Sequence, residues 1–224
     1  VKRFVRDNGL ALFFGLLFLA ALVGQAIAGH ASFNSDQLAH GNEAISFWRY
    51  LSSSDFAVDV LENWQSEYLQ FTLFILATVW LVQRGSPESK ELHKAGTESD
   101  EDQRIGEHAR ADAPRWARAG GLRTRIYSNS LLLVMATIWV LSWLGQSIAG
   151  RVVYNEEQLD HGEQTLSWFQ YLGSSDFWDR TLQNWQSELL AVGSMVVLAI
   201  YLRQRGSPES KPVGAPHAST GVEG

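Results

Sequence analysis

Two pairs of residues, Asn63 with Glu67 and Asn184 with Glu188, stand four positions apart. That spacing puts an amide and a carboxylate on one helical face. Each glutamate sits at the entry to an apolar run, Tyr68 to Val82 or Leu189 to Leu202, where an ionisable group is costly unless paired or hydrated. Gln25 and Gln146 close two other apolar runs at similar depth, so these six residues are candidates for one polar layer. Three readings of that layer are open: interhelical hydrogen bonds that fix packing, a cation or proton site, and snorkelling of the carboxylates into water. His40 and His161 recur at equivalent places. Two imidazoles facing each other would hold a metal or haem iron with help from Glu67 and Glu188. No two histidines share a helix face and no haem-attachment motif occurs, so bonding to backbone or water is the plainer reading, and no cofactor is called for.

The remaining chemistry is excluded by composition. With no cysteine in 224 residues there is no disulfide framework, thiolate zinc site or cysteine nucleophile. A net charge of -6 does not fit a nucleic-acid binder. Phosphate-binding glycine loops, metalloprotease histidine pairs and nucleophile elbows are missing as well, so the sequence gives no ground for an enzyme.

What must position the polar residues is a set of membrane-crossing helices. Leu10 to Ala28 and Leu131 to Ala149 are uncharged runs long enough to cross a hydrocarbon core of about 30 Å at about 1.5 Å per residue. The shorter runs at Tyr68 and Leu189 are extended upstream by helix-compatible sequence starting at the caps Ser54-Asp55 and Ser175-Asp176. Arg84-Gly85-Ser86-Pro87 and Arg205 to Pro208 stop them. A cleaved secretory signal is the competing reading of the first run, because Lys2, Arg3 and Arg6 precede a stretch ending in Ala26-Ile27-Ala28. The run is long for a signal core, and the interior run ending at Ala149 closes in nearly the same residues, which favours a retained span.

Residue n and residue n+121 are identical at 36 of the 84 positions from Asp7 to Lys90, without a gap. This marks a tandem duplication of a two-span unit. The spans keep only apolar character, whereas Asn63 to Glu67 match Asn184 to Glu188 throughout, and Gln83 to Lys90 match Gln204 to Lys211. Capping does not need all eight identities of that last block, so a cytoplasmic docking role for it stays open.

Fifteen of the 18 basic residues lie in the amino terminus, the segment from Arg84 to Tyr127 and the tail. The positive-inside rule therefore makes both termini and the linker cytoplasmic, and makes the repeats parallel. The outer connectors carry a net charge of about -10, a cation-attracting or simply well-solvated surface.

The expected architecture is an all-α polytopic membrane protein. The first repeat, 1–90, has spans at about 9–29 and 56–84 and an interfacial amphipathic helix at about 36–51. A charged linker, 91–121, follows. The second repeat, 122–211, has spans at about 129–150 and 177–205 and an interfacial helix at about 157–172, and a flexible tail covers 212–224. Gly41 and Gly162 fall inside the interfacial helices, where glycine costs about 1 kcal/mol relative to alanine. Close backbone approach is the expected reason. Gly24 with Ala28, and Gly145 with Ala149, are small residues four apart that suit helix packing. Trp64 and Trp185 read as aromatic-belt anchors.

The combination His40-Gly41, Ser46-Phe47-Trp48, Tyr50-Leu51, Ser54-Asp55-Phe56, Asn63 to Glu67 and Arg84 to Pro87, repeated in the second half, resembles a family of small bacterial integral membrane proteins described only as a domain of unknown function. The resemblance implies a bacterial cytoplasmic membrane and four spans, and it implies no activity. The leading expectation is a non-enzymatic membrane protein that packs against lipid and against itself or another membrane protein. A small cation or proton channel or transporter is the alternative, and a metal or haem between His40 and His161 the weaker one.

Overall fold

A computed structural model describes residues 2–222. The elements are α1 (Lys2–Asp7), α2 (Gly9–Ala39), α3 (Phe47–Leu51), α4 (Ser54–Trp80), a 3-10 turn (Gly106–His108), α5 (Gly121–Ser128), α6 (Ser130–Asp160), α7 (Trp168–Leu172) and α8 (Ser175–Tyr201). No strand occurs among the described residues, so the class is all-α as expected.

Among the described residues α2 and α6 are the helices long and apolar enough to cross a membrane. Each has 31 residues, or about 46 Å at 1.5 Å per residue. The expected four spans are not met on length and composition. In α4 the apolar stretch runs only from Tyr68 to Trp80, about 20 Å of rise, and the turns before it carry Asp55, Asp59, Glu62 and Glu67.

The interfacial helices expected over 36–51 and 157–172 do not form as single helices. Instead α2 continues to Ala39 and α6 to Asp160. Both then end in the same terminator. Gly41 (φ +80°) donates to the Leu38 carbonyl at 3.1 Å and Asn42 to that of Gln37 at 2.8 Å. Gly162 (φ +73°) and Glu163 repeat this onto Leu159 and Gln158 at 3.0 and 2.7 Å. This is the left-handed glycine cap of a Schellman motif. Space is open where a Cβ would stand on either glycine, so the expected close backbone approach is replaced by a conformational requirement. The chain then runs extended to the five-residue helices α3 and α7.

The chain divides into two compact units, 1–60 with 145–170 and 61–144 with 171–224. In the first unit Asn34 clamps the extended connector. Its Nδ2 donates to the Ile45 carbonyl at 3.0 Å and its Oδ1 accepts from the Ile45 amide at 2.8 Å. Asn155 does the same to Leu166, at 2.9 and 2.8 Å. Tyr50 is buried against Phe33, His30 and Phe56, with its hydroxyl above Gly29, where a Cβ would collide with it. Burial, then Asp59 and Asp55, push the Tyr50 phenol above its ordinary value.

In the second unit Trp143 is the centre of an aromatic cluster, with Trp139, Phe177, Trp178 and Trp185 at centroid distances of 5.9–6.2 Å. Such pairs contribute about 0.5–1.5 kcal/mol each beyond area burial. Helix α8 is capped by Ser174, one residue before the expected pair, whose Oγ accepts from the Phe177 amide at 3.2 Å.

Candidate functional site

The polar residues that meet lie in the second unit, between α4 and α8. Arg180 pairs with Glu62 at 3.5 Å, Trp185 Nε1 donates to Gln65 Oε1 at 2.7 Å, and Ser66 Oγ donates to Glu188 Oε1 at 3.5 Å. Partners advance together along both helices, so α4 and α8 run side by side in the same direction with their polar rows turned to each other. Turning them inward pairs polar side chains that would otherwise need water. Gln65 and Ser66 are buried, whereas their equivalents Gln186 and Ser187 are exposed.

At the start of this seam Arg180 also pairs with Asp176 at 3.5 Å, and Asp176 accepts from the Tyr171 hydroxyl at 2.9 Å. Burial, then the bond to Asp176, hold the Tyr171 phenol well above its usual range. At the far end Gln70, Phe71, Phe74, Val192, Glu88 and Glu209 are among the residues lining a cavity of about 380 Å³. Burial, then the neighbouring Glu209, raise the Glu88 carboxyl.

Of the six candidates for the polar layer, Glu67 and Glu188 come within electrostatic reach of each other in the second unit. Asn184 Nδ2 turns back to the Arg180 carbonyl of its own helix at 2.9 Å, and the Asn63 carbonyl accepts from Ser66 Oγ at 2.9 Å. Gln25 and Gln146 belong to the first unit. Gln25 is half-buried, while Gln146 is buried with no hydrogen-bond partner for its amide among the described residues. Glu62, Gln65, Ser66 and Arg180 are not among the residues singled out by type and spacing, although three of them lie in or beside the repeated Asn-Trp-Gln-Ser-Glu block. Trp185, expected as a belt anchor, lies in the aromatic cluster and donates to Gln65.

His40 and His161 are exposed helix terminators. Their Nδ1 atoms lie 2.9 and 2.8 Å from the carbonyls of Asp36 and Glu157, four residues back. Among the described residues no group of three His, Asp or Glu is placed to hold a metal ion. Gly24 and Ala28 are exposed, with open space above Gly24, while Ala149 is buried.

The repeated eight-residue block is more than a helix stop. Lys211 is 1% exposed, and its ammonium donates to the carbonyls of Gly85 (2.6 Å), His217 (2.9 Å), Ser219 (3.2 Å) and Pro216 (3.4 Å). Burial, with Arg203 adding to it, pushes this ammonium below its ordinary value. Lys90 in the first block bonds the Gly96 carbonyl at 2.9 Å and pairs with Glu98 at 3.0 Å. Lys211 thus gathers the carbonyls of Pro216, His217 and Ser219 in the tail around its ammonium.

The profile of a family described as "Domain of unknown function (DUF6766)" matches residues 1–222. The chain belongs to the DUF6766 family. No curated protein and no solved structure matches it. Membership in DUF6766 carries no activity with it, so the function must be argued from the geometry.

Proposed function

We propose that this DUF6766 protein is a non-enzymatic integral membrane protein that acts by packing, as a homo-oligomer or as an accessory subunit of a larger membrane assembly. The observation that carries this reading is α2, on which Leu10, Phe13, Phe14, Leu16, Phe18, Leu19 and Val23 are all exposed. At about 100° per residue these side chains surround the helix, so its natural surroundings are lipid and other helices.

In the same reading α4 and α8 also cross the membrane, giving four spans from a duplicated two-span unit. Their paired polar rows support this, since each helix removes the other's polar atoms from lipid. Both termini and the linker then face the cytoplasm of a bacterial cell, an orientation that the distribution of basic residues supports. The chain contains no cysteine, so single cysteines at Phe14, Leu16, Phe18, Leu19 and Val23, which are spread around the helix, can be crosslinked in native membranes. A helical periodicity of crosslinking is expected. Uniformly absent crosslinks to itself and to any neighbour would overturn the proposal.

A second reading, a cation or proton path, is favoured by the approach of Glu67 to Glu188 and by the cavity that carries Glu88, Glu209 and Gln70. It predicts ion flux in liposomes that falls when Glu67 and Glu188 are both replaced by glutamine. Unchanged flux rejects it.

A further inference from the structure

The blocks Gln83–Lys90 and Gln204–Lys211 are identical in sequence and fold alike. The Gln83 and Gln204 amides donate to Ser89 and Ser210 Oγ at 2.8 and 2.9 Å. The Ser86 and Ser207 amides return to the Gln83 and Gln204 carbonyls at 3.1 and 3.2 Å. The Glu88 and Glu209 amides donate to Ser86 and Ser207 Oγ at 3.3 and 3.2 Å. Both glycines are left-handed, with φ +87° at Gly85 and +82° at Gly206.

The two blocks differ in what lies on them. On the first, the Gly85 amide donates to Thr220 Oγ1 at 2.9 Å and the Gly221 amide donates to the Ser86 carbonyl at 3.0 Å. A Cβ on Gly85 would stand 2.5 Å from the His217 carbonyl oxygen, so the tail lies directly over that glycine. On the second block Gly206 is exposed, and nothing lies within 4 Å of where its Cβ would stand. Residues 99 and 100 would cover it by the 121-residue spacing, but there the chain folds on itself. Ser99 Oγ donates to Asp102 at 2.6 Å, and the Ile105 amide donates to the Asp100 carbonyl at 3.0 Å.

We propose that Gln204–Lys211 is a docking seat for a segment of another membrane protein with the chemistry of this chain's own tail: small, uncharged residues ending in a hydroxyl residue and then glycine. The hydroxyl oxygen accepts from the Gly206 amide, and the glycine amide donates to the second lone pair of the Ser207 carbonyl, which already accepts from the Ser210 amide at 3.2 Å. Glycine is required at the last position, because Gly221 has φ +69° and its Cβ would stand 3.1 Å from the Ser89 carbonyl. A second copy of this chain is the poorer occupant, since its tail would have to leave an equal seat and uncover its own Lys211. The proposal rests on the accessory-subunit reading for its biological meaning, while the test below reads the seat alone.

The probe is a labelled synthetic peptide of residues 215–222, titrated into the full-length protein in detergent and followed by fluorescence anisotropy. Saturable binding of one peptide per chain is expected. Replacing the peptide's threonine with valine should weaken binding about fivefold, the loss of one hydrogen bond, and replacing its glycine with alanine should abolish it. Gly206→Ala in the protein should block the seat, and Gly85→Ala should leave it open. No saturable binding, or binding lost with Gly85→Ala and kept with Gly206→Ala, overturns the proposal. The peptide variants decide the outcome even if a protein variant fails to fold.

Discussion

The bond between Trp185 Nε1 and Gln65 Oε1, at 2.7 Å, joins α4 to α8 inside the second unit, and Gln65 is 0% exposed. Its contribution is not readable from a single substitution. Gln65→Leu leaves a half-buried indole N–H unpaired, which costs at most about 1–3 kcal/mol. It also removes a Gln65 Nε2 that has no partner among the described residues, and this offsets part of the loss. A double-mutant cycle of Gln65→Leu with Trp185→Phe cancels the second effect and keeps the ring packed near Trp143. Side-chain hydrogen bonds between membrane helices contribute about 0.6–2 kcal/mol, so a coupling of about 1 kcal/mol is expected from equilibrium unfolding in mixed micelles. The control is Gln186, the equivalent of Gln65, which is exposed. Gln186→Leu should change stability by less than about 0.5 kcal/mol, and because adjacent side chains on a helix do not face each other it should couple to Trp185→Phe by less than about 0.5 kcal/mol. Equal coupling in the two cycles would refute the asymmetric seam.

Gly41→Ala and Gly162→Ala should each cost about 1–2 kcal/mol, the penalty for a Cβ in the left-handed region, seen as a lower unfolding midpoint; unchanged midpoints would remove the terminator account. The Glu88 carboxyl is raised above its ordinary value, so its contribution to stability is fully present below that value and is lost as pH rises through the raised one. Glu88→Gln should therefore stabilise the protein at pH 7 relative to wild type, with the gain vanishing in acid; a gain confined to acid would contradict the sign. Single cysteines at Glu43, Asp112 and Gln164, probed with a membrane-impermeant maleimide, separate four spans from two. Four spans label Glu43→Cys and Gln164→Cys from outside and protect Asp112→Cys. Two spans, α2 and α6 alone, would place Glu43 and Asp112 on one side and Gln164 on the other.

The apolar periodicity and charge distribution made the all-α class and the two long apolar helices readable, because burial in lipid demands long uninterrupted runs. The His-Gly pairs were misread. Apolar residues at helical spacing continue from Leu38 through Leu51, and the pattern does not reveal that Gly41 is left-handed. The clue was a glycine directly after a histidine, recurring 121 residues on, and the Asn34 and Asn155 clamps were visible only as identities at the same spacing. The polar seam was half legible. The Asn-Trp-Gln-Ser-Glu block marked the right turns of α4 and α8, but identical sequences cannot show that Gln65 is buried while Gln186 is exposed. Lys211 was hidden for a related reason, since a lysine after a helix stop reads as a solvated charge, and its carbonyl partners at Gly85 and in the tail are brought there only by folding.

The most direct test of the packing account is a native mass spectrum of the protein gently extracted from its own membrane, where stoichiometry and bound protein mass are read together. The account predicts a defined homo-oligomer or a constant additional protein mass. A bare monomer under conditions that keep known membrane complexes intact would contradict it.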